Sequence, residues 1–275
     1  MKMRIKPIVQ IMGIISLLLL TGCVKNKHIF VYDDYEPSAP RGVASHTGDG
    51  YVLLTWISNP EPDVVGYDVY RGTDCGGTYV YLGTTSDTFF VDDQVLNGNT
   101  YYYAVAAYDV DDFLSDLSYE CIFDTPRPEG AVTLYDFNTN PNDAGFDFST
   151  YLRQTWNAAT TDIYLEYYAP NLTFYINANA GTLIQDYGYV DTLSQVGWAP
   201  QQGWSDLGYV EVILGHAYII NTWDDHYAKI RVNQIGASSV QLEWAYQVDQ
   251  SNPELAGKIE KSKKQTKPIK REVLK

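Results

Sequence analysis

Basic residues are scarce in this chain. Nineteen lysines and arginines stand against 34 aspartates and glutamates, a formal net charge of −15 over 275 residues. The imbalance is sharper between residues 23 and 257, which hold eight basic and 32 acidic side chains, a net of −24. A surface of that sign cannot release counterions from a polyanion, so nucleic acid is excluded as a partner. Methionine (3), cysteine (3) and histidine (4) are few. No Gly-x-Ser-x-Gly elbow and no His-Glu-x-x-His pair occurs, so two readable hydrolase signatures are missing. Also missing, over residues 131–250, is an amphipathic stretch of convincing helical length. Tyrosine, in contrast, is abundant: 24 residues, a type that suits pleated, half-exposed sheet. Hydrophobic residues make up 45% and charged residues 19%, which excludes wholesale disorder. The expected fold class is all-β, in one large or two ordinary domains.

Residues 1–22 read as an export signal. Lys2, Arg4 and Lys6 form a positive start, and Ile8 to Leu20 is an apolar run broken only by Gln10, Gly13 and Ser16. The run is short for a membrane span, which takes about 20 residues, and suits a signal-peptide core. Leu20-Thr21-Gly22-Cys23 resembles a bacterial lipobox. That resemblance implies cleavage before Cys23, lipid on its sulfur and new amino group, and a membrane-anchored place in the cell envelope. By the same resemblance, Val24 after the cysteine carries no inner-membrane retention signal, which implies the outer membrane if the cell has one. Residues 23–37 read as a tether. Residues 251–275 read as a disordered basic tail, with eight basic and two acidic side chains from Lys258 onward.

Residues 38–127 carry short alternating segments separated by turns, the pattern of a β-sandwich. Pro40, Val52-x-Leu54-x-Trp56, Gly66-Tyr67-x-Val69-Tyr70-Arg71 and Asn97-Gly98-x-Thr100-Tyr101-x-x-Ala104-Val105 resemble a fibronectin type III domain. The resemblance implies seven strands in two sheets, with Trp56 in the core. It also implies that the Tyr101 hydroxyl binds backbone across the preceding loop. In that topology Cys75 and Cys121 lie near one pole, so a disulfide between them is a candidate, with two separate thiols as the alternative. No third Cys or His lies near them to make a metal site.

Residues 131–250 read as a second antiparallel β domain, with strands expected over 163–168, 172–178, 182–190, 209–221, 227–234 and 239–248. The last two suit a hairpin with Ala228, Ile230, Val232, Val240, Leu242, Trp244 and Tyr246 on one face. A register setting Lys229 opposite Glu243 would place that pair on the solvent side. Gly215-His216-x-Tyr218 with His226 to Val232 resembles the closing hairpins of HmuY-type exported lipoproteins, which implies a haem-binding alternative. His28 and His46 read as incidental, and His216 as a buried, hydrogen-bonded residue. Haem clamping would need His216 and His226 to converge on one iron, and the hairpin separates them.

The candidate ligand site is aromatic. Trp198 and Trp204 flank a Pro/Gly loop, Trp223 and His226 lie at a hairpin tip, and exposed tryptophans can stack on sugars or anchor a protein. Asp136, Asn138, Asn140 and Asp147 echo a calcium loop, although Pro141 replaces the glycine such a loop needs. No catalytic residue and no cofactor is expected. The sequence points to a lipid-anchored, non-enzymatic envelope protein that holds a protein partner or glycan near the membrane. The alternatives are an accessory or catalytic component of polysaccharide processing, and a haem-binding lipoprotein.

Overall fold

The computed structural model describes residues 35–261 in backbone and residues 35–257 in side-chain detail. The tether before Tyr35, the expected lipidation site Cys23 and the export signal lie outside the described residues. The described residues form one compact unit. It is all-β, with two short 3-10 turns at Pro141–Asp143 and Leu193–Gln195.

The first seven strands are β1 (Arg41–Thr47), β2 (Val52–Ile57), β3 (Val64–Gly72), β4 (Val80–Thr85), β5 (Phe89–Asp92), β6 (Tyr101–Asp109) and β7 (Glu120–Asp124). They pair as β1-β2-β5 in one sheet and β7-β6-β3-β4 in the other, a fibronectin type III-like sandwich. Period-two patterning builds it. Val52, Leu54 and Trp56 from one sheet meet Tyr67, Val69, Tyr103, Val105 and Ala107 from the other, all buried. The Trp56 and Tyr67 rings meet edge to face at 5.2 Å. The Tyr101 hydroxyl accepts the Leu96 N–H at 3.0 Å, the backbone bond that the resemblance implies. A disulfide joins Cys75 to Cys121, whose Cα atoms are 5.6 Å apart.

The second sandwich holds β8 (Glu129–Tyr135), β9 (Gly145–Asp147), β10 (Leu152–Gln154), β11 (Ile163–Tyr168), β12 (Thr173–Ala178), β13 (Leu183–Tyr189), β14 (Tyr209–Glu211), β15 (His216–Asn221), β16 (Tyr227–Ile235) and β17 (Ser239–Gln247). One five-stranded sheet runs β10-β9-β11-β12-β14 and the other β13-β15-β16-β17-β8. The single strand expected over 209–221 is two. β14 belongs to the first of these sheets and β15 to the second, and the chain crosses between them at 212–215. Tyr218 fixes the crossing: its hydroxyl accepts the Ile213 N–H at 2.8 Å and donates to the Glu211 carbonyl at 2.7 Å. Gly215 then turns with a φ of +79°, a left-handed value glycine adopts freely.

The sheet containing β15–β17 is covered on both faces. Its inner face packs Tyr218, Ile220, Ile230, Leu242 and Trp244 into the main core. Its outer face packs Ala217, Ile219 and Ala245 under Leu193, Val196, Ala199 and Leu255. Two expectations fail here. Lys229 pairs with Ala245, and Arg231 with Glu243, a register two residues from the one expected. A two-residue shift leaves Lys229 on the outer face, and it is the covering segment that buries it there, 3% exposed, rather than leaving it to solvent.

The expected disordered tail also begins too early. Residues 251–257 are packed, with Leu255 fully buried, and β18 (Lys258–Lys261) pairs with β7 at the edge of the first sandwich. Backbone pairing decides this against composition: an unpaired β7 edge offers hydrogen bonds that a lysine-rich segment can still take up. The segment thus straps the second sandwich to the first.

Candidate functional site

Beneath the strap lies a junction cavity of about 400 Å³ lined by residues of both sandwiches, among them Thr47, Arg127, Glu129 and Lys229. Arg127 is 1% exposed and donates to the carbonyls of Thr125 (3.2 Å) and Leu255. The Lys229 ammonium donates to the carbonyls of Val196 (3.0 Å) and Leu255. Neither cation makes an ion pair among the described residues. Burial holds the Lys229 amine well below its ordinary range and pulls Arg127 down as well. Glu254 receives the Thr125 hydroxyl at 3.0 Å on one oxygen, while its other oxygen is buried without a hydrogen-bond partner. Burial, reinforced by Asp124, pushes its carboxyl up to about 7. The bonds from the two cations end on backbone carbonyls of Thr125, Val196 and Leu255. The junction is a structural clasp.

The tryptophan candidates disperse. Trp204 packs against Leu193, Val196 and Leu255 and serves the outer core. Trp198 (44% exposed) bridges to Glu254 through backbone, and Trp223 (57% exposed) sits in the turn between β15 and β16. His226 stacks on Tyr246 at 5.4 Å, and its Nδ1 lies 3.1 Å from the Gln247 carbonyl. His216 is half-buried, with Nδ1 3.0 Å from Asp186, rather than enclosed as expected. The two histidines stand at opposite ends of β15, on the order of 20 Å apart along the strand, so no single iron could join them.

The calcium candidates are engaged in local turns. One Asp136 carboxylate oxygen accepts the backbone N–H groups of Asn138 (3.3 Å) and Tyr167 (3.0 Å) and the Asn138 amide (3.1 Å). Asp147 accepts the N–H and hydroxyl of Ser149 at 2.9 and 2.7 Å. Asn140 is bound through its N–H to the Asp136 carbonyl. These carboxylates cap turns. Among the described residues no group of three or more His, Cys, Asp or Glu is placed to hold a metal.

A tyrosine face that the sequence reading did not single out is the better site. Strand alternation on β11 and β12 sends Ile163, Leu165, Phe174 and Ile176 into the core. The same alternation turns Glu166, Tyr168, Tyr175 and Asn177 outward, and Tyr209 on β14 joins them. Register pairs Glu166 with Tyr175 and Asn177 with Tyr209. These five residues line a cleft of about 360 Å³, within the range of small-molecule sites. Tyr168 and Tyr209 are 47% and 39% exposed. Tyr175 stands between them, its ring centroid 6.4 Å from Tyr168 and 5.2 Å from Tyr209. The Asn171 amide donates to its hydroxyl at 2.7 Å and holds the ring. Asn177 donates to one oxygen of Glu166 at 3.2 Å. Exposed aromatic rings beside a carboxylate and an amide can stack on a sugar while binding its hydroxyls. The signal in sequence was the period-two row of polar and tyrosine residues, which also reads as an ordinary solvent face.

No family model matches the chain. Among curated proteins, an amylopullulanase of Thermoanaerobacterium thermosulfurigenes is 27% identical over 217 residues, covering 76% of this chain and 11% of that protein. One from Thermoanaerobacterium saccharolyticum is 32% identical over 97 residues, 35% of this chain and 7% of that protein. The chain thus spans about a tenth or less of the length of these relatives. The longer match extends beyond what the first sandwich alone supplies. Among solved structures, an Fn3-like protein from Clostridium thermocellum shares 27% identity, 30% of this chain and 91% of its own, at a TM-score of 0.26. The fibronectin type-III domain of human fibronectin type III domain containing protein 3 shares 20% identity, 36% of this chain and 93% of its own, at 0.29.

Proposed function

We propose that this is a non-enzymatic envelope protein, held to a membrane by lipid on Cys23, whose second sandwich binds a glycan. The observation that carries the reading is the outward tyrosine cleft of Tyr168, Tyr175 and Tyr209 with Glu166 and Asn177. The fibronectin type III-like sandwich serves as a spacer, and lipid confinement raises the effective concentration of the binding face near its target. Similarity to the amylopullulanases, reaching 76% of this chain, favours a second reading in which the bound glycan is delivered to a polysaccharide-processing partner. It also suggests the polymers to try first, amylose-type glucans and pullulan.

Two measurements test this reading. Mass analysis of the mature protein should show acyl mass on Cys23, and globomycin should leave the precursor uncleaved; an unacylated mature form removes the anchor. Full-length protein in mild detergent should be retarded in affinity gels containing glycans. Free migration through every glycan tried removes the glycan role.

A further inference from the structure

Resting on the glycan-binding reading, we infer that the tyrosine cleft takes a neutral glycan of curved or kinked shape, rather than a flat ribbon or an acidic polymer. The orientation of the rings argues for the shape. Tyr168 and Tyr175 meet at 71°, and Tyr175 and Tyr209 at 82°. No two neighbouring rings are coplanar, so a flat chain laid across the three strands finds no continuous platform. A sugar that turns out of the plane of its neighbour can place one ring face on Tyr168 or Tyr209 and lean its edge on the other. Tyr175 stands between them at a steep angle to both rings, its hydroxyl held by the Asn171 amide.

Charge argues for neutrality. Glu166 is in the floor of the cleft, and Glu211 pairs with Tyr175 from the far side. No basic residue lines the cleft, and the body around it carries a net of −24. A uronate or sulfate group would meet uncompensated repulsion in a partly desolvated site. A neutral sugar meets the opposite chemistry. A carboxylate accepts two hydroxyl protons, and vicinal hydroxyls present them in the geometry it needs. Asn177, 9% exposed and already oriented by Glu166, adds its amide to the same floor.

The experiment is affinity electrophoresis and calorimetry on full-length protein in detergent. The probes are pullulan and a linear malto-oligosaccharide for the curved class, a cello-oligosaccharide for the ribbon class, and polygalacturonate for the acidic class. The curved probes should bind, and the other two should bind at least about tenfold more weakly. Tyr168→Ala and Tyr209→Ala should each weaken curved-probe binding by about tenfold. Glu166→Gln should weaken it too, while Tyr187→Ala, an exposed tyrosine on β13, should not. Equal or preferential binding of the ribbon or acidic probe through the same tyrosines overturns the shape and charge assignment but leaves the glycan role standing. Binding unaffected by the tyrosine variants overturns the site. Binding of no probe at all overturns both the assignment and the glycan role. Both tyrosines are surface residues, so circular dichroism of the variants should match the parent and secures the comparison.

Discussion

The two sandwiches solve the same problem, covering the faces of antiparallel sheets, in different ways. The first buries one face of each sheet against the other, covers the outer side of β3 and β6 with nearby chain (Tyr70, Ala104 and Ala106 under Tyr79 and Leu117), and reinforces the result locally, with a disulfide between Cys75 and Cys121 and a tyrosine hydroxyl bound five residues upstream. The second buries one of its sheets on both faces, and the outer cover comes from the 190–199 loop and the strap that carries Leu255. Its other sheet leaves one face open and lines it with tyrosines. The difference teaches where function can reside. A face covered by distant chain is committed to packing, and an open aromatic face beside it is available for a ligand.

The sharpest break of this comparison is Arg127→Ala. It removes donors to the Thr125 and Leu255 carbonyls deep in the junction and leaves the raised Glu254 and Asp124 carboxyls without their nearby cation. A loss of about 3–5 kcal/mol is expected in chemical denaturation, with the strap released and susceptible to limited proteolysis near Leu255. Unchanged stability would show that the clasp contributes nothing. Removing the disulfide with Cys75→Ser and Cys121→Ser should cost about 2–4 kcal/mol, read in the unfolding of the first sandwich. The tyrosine cleft should be untouched, and loss of glycan binding in that double variant would mean the two sandwiches are coupled more tightly than their separate cores suggest.

A smaller effect tests the junction by pH. The Glu254 carboxyl titrates near 7 when folded and near 4.5 when unfolded. The folded state therefore holds the extra proton between those values, and its stability falls as pH rises from about 4.5 to 7. Lys229 acts in the opposite sense at higher pH: its lowered value makes the unfolded state the better proton binder, so this group favours folding as pH rises toward 10.5. Glu254→Gln should flatten the acidic limb of the stability profile between pH 5 and 7.5 while sparing the alkaline limb. An unaltered acidic limb would assign it to other groups, with Asp162, also raised to about 7 by burial, the next to substitute. The mildest change is Tyr101→Phe, which deletes the bond from the Leu96 N–H and should cost about 1 kcal/mol in the first sandwich with no effect on the second.

Local patterning by itself determined the all-β class, the strands of the first sandwich and most strands of the second. Alternation of side chains along a strand is a property of two or three neighbouring residues, and Val52, Leu54 and Trp56 display it without reference to anything distant. Tertiary structure alone decided the register of Lys229, the crossing after Glu211 and the ordering of the chain through Lys261. Each depends on what covers a face or completes an edge, and that partner lies remote in sequence. The same reason separates the two sets of aromatic candidates. Trp204 looked available and is packed beneath chain from elsewhere, whereas Tyr168, Tyr175 and Tyr209 read as a plain solvent face until three strands brought them together.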